Sequence, residues 1–201
     1  MGSEDRPRRP RGRPPKSDGQ VTAARLLDAA AAVCAERGFD ASTLTEIAAR
    51  ADLTPTAIYN HFDSREELLY AAAVRGLEQI TTIAQETPKG QRSTTDIASA
   101  YLRPEMRQTR RLIAELHLAS GRDKRLAELL ANWHRTYTEI VIGGLPASDP
   151  EPRATAKALF LVLLGLCHID DLPAVRASRT AVVERIEAVV AQLVTDPRSG
   201  P

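Results

Sequence analysis

"TLTEIAARADLTPTAIYNHFDSREEL", residues 43–68, starts a helix three times in quick succession. Thr43 followed by Glu46 forms a capping box: the hydroxyl accepts the Glu46 N–H and the carboxylate turns back to the Thr43 N–H, so a helix begins at Leu44. Asp52 and Leu53 leave room only for a tight turn. Thr54 then caps a second helix, with Pro55 at its first position, where a missing N–H costs nothing. Ser64 and Glu67 repeat the box, and a longer helix starts at Arg65. Two short helices joined by a tight turn make a helix-turn-helix. That geometry requires the second helix to dock by one face and keep the other bare and polar. Ile58 and Phe62, four apart, supply the docking face, while Thr56, Tyr59, Asn60 and His61 supply the polar one. Thr43 and Thr45 open the first short helix, where an N-terminus favours an anion, and Arg65 offers a further phosphate contact.

Outward from this stretch the periodicity stays helical. On the N-terminal side a helix is expected from about Thr22 to Arg37, with Leu26, Leu27, Ala30, Val33 and Cys34 on one face and Gly38 as its stop. On the C-terminal side the helix from Arg65 carries Leu69, Ala73, Gly76, Ile80 and Ile83 in steps of four and three. "TPKGQRS", residues 87–93, reads as a turn. Helices follow through Ile97 and Tyr101, broken near Pro104, and through Leu112 and Leu116. A longer one runs from about Arg125 to Val141, with Leu126, Leu130, Trp133, Tyr137 and Ile140 on one side. After the loop "GGLPASDPEP", residues 143–152, two last helices cover roughly Arg153 to Cys167 and Ser178 to Val194. No stretch alternates as a strand does, so the chain is read as all-α, with about nine helices.

The chain has 201 residues, of which 43% are hydrophobic and only 4% aromatic, so its core must rest on Leu, Ile, Val and Ala. The net charge of +1 hides an asymmetry, because "RPRRPRGRPPK", residues 6–16, holds six positive charges and no negative one. Residues 1–19 therefore read as a basic arm, disordered in isolation. Arg8, Arg9, Arg11, Arg13 and Lys16 would raise affinity for DNA by counterion release. Within them "RGRP" resembles the core of an AT-hook, where Gly removes bulk and Pro keeps the chain extended along a narrow minor groove. A nonspecific basic tail is the other reading. Cys34 and Cys167 lie far apart in apolar helical runs and are expected as reduced core thiols. No apolar run approaches the ~20 residues needed to cross a bilayer. A cytoplasmic protein is expected.

"GFDASTLTEIAARADLTPTAIYNHFDSREELL" resembles the N-terminal signature of TetR-family transcriptional regulators. The resemblance runs over about residues 22–72. It is carried by Gly38 with Phe39, by "TLTEIAARA" from Thr43 to Ala51, by Tyr59, Asn60, His61 and Phe62, and by "SREEL", where Arg65 stands in place of the common Lys. It implies phosphate contacts from Thr43, Tyr59, His61 and Arg65, and base-edge or nearby contacts from Thr45, Thr56, Ala57 and Asn60. Thr54, the cap of the reading helix, belongs to the same DNA-facing set. Ala57 has no hydrogen-bonding group and suits only a thymine methyl.

The expected organisation is a basic arm (1–19), a helix-turn-helix DNA-binding domain of three helices (20–66) and a helical domain for ligand binding and dimerisation (67–201). "ATAKALFLVLLGLC", residues 154–167, is apolar nearly all round past Lys157, so it needs cover on every side. A second copy of the chain is the economical source. Leu159, Val162, Leu163, Leu166, Val182, Ile186, Val189, Val190 and Leu193 are the expected dimer interface, which matches the four-helix bundle that the resemblance implies. Tyr101, Met106, His117, Trp133, His134, Tyr137 and Phe160 are candidates for an effector pocket, with apolar walls and a few polar tips. His117 and His134 have no partner at metal-ligand spacing, and no metal or cofactor is expected. With no phosphate loop or nucleophile motif, the chain does not read as an enzyme. The function expected is a homodimeric repressor released from a palindromic DNA operator by an unknown small-molecule effector. The alternative is an architectural DNA-binding protein, or an activator, without an effector.

Overall fold

The computed structural model describes residues 16–86, 94–147, 149–169 and 179–194. Among them lie nine α-helices and one 3-10 turn, and no strand. The helices are α1 (Lys16–Arg37), α2 (Leu44–Arg50), α3 (Pro55–Ile58), α4 (Arg65–Glu86) and α5 (Thr94–Leu102). The 3-10 turn (Pro104–Met106) leads into α6 (Arg107–Ser120), then α7 (Lys124–Ile142), α8 (Pro152–Ile169) and α9 (Arg179–Val194). None of these helices is long and apolar enough to cross a membrane.

α1 packs on α2, α4 and α6, and α6 in turn packs on α4, α7 and α8. α9 lies on α5 and α8. The core is continuous through these helices, from Leu26 and Ile58 to Leu116, Leu130 and Leu159. At the α4–α6 crossing Gly76 lets the two helices approach closely, and any larger residue would make Leu112 shift. A Cβ there would meet Leu112 Cδ2 at 2.7 Å. Gly38 ends α1 with φ of +88°, a left-handed conformation that glycine adopts without steric cost. Cys34 is buried as a thiol, and desolvation, with help from the nearby Glu115 carboxylate, pushes its pKa up to about 12. The side chain of Cys167 lies outside the description.

Two expected boundaries move. α1 begins at Lys16, inside the stretch expected to be an arm. After Pro15 no residue stops a helix, and "KSDGQV" continues straight into the apolar face of α1. Residues 1–15, with Arg8, Arg9, Arg11 and Arg13, lie outside the described residues, as does the seam at 87–93. The third helix is also shorter than expected. α3 stops at Ile58, and Tyr59, Asn60 and His61 continue as tight turns, with His61 and Phe62 N–H groups donating to the Ile58 carbonyl at 2.9 and 3.0 Å.

Of the residues expected at an interface on α8 and α9, some are already covered within the one chain. Leu159 and Leu163 face inward, and Val190 is fully buried, all within the one chain. They follow the Ala156–Leu159–Leu163 spacing that turns one stripe of α8 onto α6 and α7. Val162, Val182 and Ile186 are half-buried, while Val189 is exposed. The side chains of Leu166 and Leu193 lie outside the description. The outward apolar residue of α8 is Leu161, 67% exposed.

Candidate nucleic-acid interface

The local chemistry of α2 and α3 follows the capping logic closely. Thr43 Oγ1 accepts the Glu46 N–H at 3.2 Å, and the Thr43 N–H donates to Glu46 Oε2 at 3.4 Å. Thr54 Oγ1 accepts the Ala57 N–H at 3.3 Å, with Pro55 leading α3. The turn between them closes through Leu53 N–H donating to the Ala48 carbonyl at 2.9 Å. Asp52 sits there at φ of +54°, a region in which a short polar side chain is better tolerated than a branched one. Ile47, Ala48 and Ile58 are fully buried, so α3 is fixed by its inner face.

That fixing leaves one face bare. Tyr59 is 57% exposed. Thr45, Thr56 and Asn60 are exposed and His61 is half-buried. None of these five side chains hydrogen-bonds to another described residue. Thr43 and Thr54 are exposed too, though each hydroxyl is already held by its cap. Ala57 is half-buried. A surface that fully docks its apolar side and leaves hydroxyl, amide and imidazole groups unbonded presents donors and acceptors suited to phosphates and base edges.

Arg65 behaves differently from its neighbours. Its guanidinium donates to the carbonyls of Ser42, Phe39 and Asp40, the latter two at 2.6 and 2.9 Å, and to Glu66 at 3.2 Å. Ser42, itself buried, returns its hydroxyl to the Gly38 carbonyl at 2.8 Å. Arg65 therefore ties the start of α4 to the loop between α1 and α2. Arg65→Ala is expected to cost about 1–3 kcal/mol by leaving carbonyls unsatisfied. Arg65→Lys, which keeps the charge but loses the fork, should lose a measurable part of this. Thermal denaturation without DNA checks both. A lysine variant as stable as the parent would mean that the guanidinium fork does not hold the α1–α2 loop to α4.

Further contacts join this unit to the remaining helices. The Glu67 N–H donates to Ser64 Oγ at 3.1 Å, giving half of the expected box. The Glu67 carboxylate does not turn back, but accepts from Arg125 at 2.6 Å, and that guanidinium lies 3.7 Å from the Tyr70 ring centre. Hydrogen bonding to Arg125 lowers the Glu67 pKa. Arg122 pairs with Asp40.

The expected effector residues are brought together, but packed. Trp133 stacks on Tyr137 with centroids 4.9 Å apart. Its indole N–H donates to the Leu77 carbonyl and Thr81 Oγ1 at 3.2 and 3.0 Å. Phe160 sits edge-on to His134 at 4.4 Å. The void beside Tyr101, Met106 and Tyr137 has no room for a water molecule. Burial raises the Tyr137 pKa. Sequence spacing gave His117 and His134 no partner, yet they are each other's, Nε2 to Nε2 at 3.0 Å. His117 Nδ1 lies 2.7 Å from the Ile113 carbonyl, which only accepts, so this nitrogen carries the proton and Nε2 accepts from His134. No cluster of three metal-type ligands occurs among the described residues.

Burial, and secondarily repulsion from His117 once that ring is itself protonated, lowers the His134 pKa from 6.5 to about 4. The unfolded chain thus takes up a proton that the folded one refuses, so this contribution to stability is whole above pH 6.5 and lost as pH falls towards 4. The melting temperature should fall across that window, and His134→Leu should flatten the fall. Parallel curves for the two proteins would refute the assignment.

Sequence reasoning also missed Arg110, which is fully buried and donates to the Tyr101 and Arg103 carbonyls at 2.6 and 2.8 Å. Its spacing to Ile113 and His117, three and then four, was the available signal.

A short, well-docked helix after a tight turn, bare on its polar side, makes this a helix-turn-helix protein. Residues 26–72 match the family model described as bacterial regulatory proteins, tetR family. Over those residues the chain is similar to that family. It is 27% identical over 128 residues to the HTH-type transcriptional regulator UidR of Escherichia coli, a match that covers 63% of this chain and 65% of that protein. A transcriptional regulator from Rhodococcus sp. RHA1 superposes with a TM-score of 0.72 at 19% identity, over 86% of this chain and 95% of that one. Salmonella enterica GusR does so with a TM-score of 0.66 at 22% identity, over 87% and 95%.

Proposed function

We propose that the chain is a DNA-binding transcriptional regulator acting as a homodimer, a repressor that leaves a palindromic operator when a small molecule binds. Residues 20–66 serve as the DNA-binding domain and residues 67–201 as the regulatory and dimerising one. The observation that carries the reading is the unbonded polar face of Thr45, Thr56, Tyr59, Asn60 and His61 on a unit whose apolar residues are already buried. Water satisfies such a face in the free protein, and the donors and acceptors of a major groove can take the place of that water. Thr43, Thr54, Ala57 and Arg65 border it. The basic residues Arg8, Arg9, Arg11, Arg13 and Lys16 add a salt-dependent attraction.

Two such faces must be presented about one DNA turn apart, ~34–36 Å, to read a palindrome. The exposed Leu161 and Val189 on the last two helices favour pairing through α8 and α9. UidR is named a transcriptional regulator, which supports the same reading for this chain. The test is a mobility-shift titration with the palindromic DNA upstream of the chain's own gene and with fragments selected from its genome. The expected result is a saturable complex of two chains per duplex. Binding no tighter than to unrelated DNA would overturn the proposal.

A further inference from the structure

We infer that the effector site of this protein is the cleft between α1, α4 and the start of α6, and that it takes a small aliphatic amine, protonated at neutral pH. The inference rests on the regulatory reading above and names its ligand class. The cleft touches both α1 of the reading unit and the helices beyond it, with a volume of about 600 Å³. That is the usual size for a small-molecule site. The aromatic cluster expected to hold an effector is packed without room for a water molecule beside Tyr101, Met106 and Tyr137. A second groove, beside Leu77 and Trp133, joins only α4 and α7.

The lining decides the chemistry. Leu27, Ala31, Ala72 and Leu112 form an apolar floor, and the rim carries Asp28, Glu78 and Glu105 against the single cation Arg75. Arg75 is already engaged. Its guanidinium pairs with Asp28 at 2.9 Å and donates to the Ala24 carbonyl at 2.8 Å, strapping α4 to α1. Among the described residues no cation pairs with Glu78 or Glu105. An apolar floor under two uncompensated carboxylates suits an ammonium on a hydrocarbon chain and repels an anion. An ammonium in the cleft also competes with Arg75 for Asp28. Loosening that strap frees α1 to shift on α4, and α1 carries the reading unit. The ligand need favour the shifted arrangement only modestly to move the population.

The experiment is calorimetric titration of the full chain, without DNA, with hexylamine and hexanediamine, using hexanol and hexanoate as neutral and anionic counterparts. The expected result is one saturable site per chain for the amines and none for hexanoate. Glu78→Gln combined with Glu105→Gln should weaken amine binding about tenfold, as expected for two surface ion pairs. Both residues are exposed, so an unchanged melting temperature certifies the fold. Thr109→Phe, which fills the cleft, should abolish binding. Amines that bind no better than hexanol, or equally well to the double variant, overturn the site. A mobility shift with and without hexanediamine then reads regulation. Release of DNA from the parent but not from the double variant is expected, since simple charge screening would act on both. Equal release from both overturns the effector role. A protein that binds amine and no duplex at all separates failure of the regulatory reading from failure of the cleft.

Discussion

Replacing Tyr59 and Asn60 together by alanine is expected to lower operator affinity by about 10³-fold or more. The same change should leave the folded protein nearly as stable as before. The two halves of this expectation have separate physical grounds. Tyr59 is 57% exposed, Asn60 is exposed, and neither side chain bonds to another described residue. Removing them breaks no cap and opens no cavity, and surface changes of that kind stay within about 0.5 kcal/mol. On DNA, each lost contact to a phosphate or base edge is worth about 1–3 kcal/mol, and a two-fold dimer loses each contact twice. Ile58→Ala makes the contrast. It empties a fully buried site under α3 and should cost about 2–4 kcal/mol of stability, so its loss of binding comes with a lower melting temperature. Fluorescence anisotropy on operator DNA, with calorimetric melts of the same samples, reads both quantities. A Tyr59/Asn60 variant that still binds like the parent would mean that DNA is read by another surface.

What could be read from the sequence was what short-range chemistry decides. The Thr43–Glu46 box and the Thr54 cap on Ala57 each join residues three apart, and both form as their spacing dictates. The inward stripe of α7 through Leu126, Leu130, Trp133 and Tyr137 is likewise a matter of period, and all four are buried. The misses are contacts between residues distant in the chain. Glu67 has a complete box motif, yet its carboxylate prefers a guanidinium delivered by α7, because a charged fork is a stronger partner than one backbone N–H. Arg65 looked like a phosphate ligand because it opens a helix. Only the fold brings the carbonyls of the α1–α2 loop within its reach. The pairing of His117 with His134 needs α6 and α7 side by side, which spacing within either helix does not reveal. In α8 almost every residue is apolar, so period could not separate the stripe facing its own chain from the stripe facing out. The clue lay in Lys157, one turn before Leu161 on the same side of the helix.

That outward stripe carries the second large expected effect. Leu161→Asp should convert the proposed dimer to a monomer, raising its dissociation constant on the order of 10³-fold, and operator binding should fall with it. The size follows from symmetry. A leucine driven from 67% exposed to buried stabilises by about 1.5–3 kcal/mol, and a two-fold axis counts it on both chains. Aspartate removes that gain and sets a charge into an apolar interface. The monomer itself should hardly notice, because Leu161 packs on little of its own chain and aspartate leaves the inward stripe of Leu159 and Leu163 intact. Leu159→Asp is the matched control on the same helix. It buries a charge in the core, so the chain should unfold and not merely dissociate. Sedimentation velocity separates the two outcomes: a folded particle of half the mass for Leu161→Asp, and loss of helical signal for Leu159→Asp. If Leu161→Asp sediments as the parent does and still shifts operator DNA, the pairing surface lies off α8, and the two reading faces are spaced by some other contact.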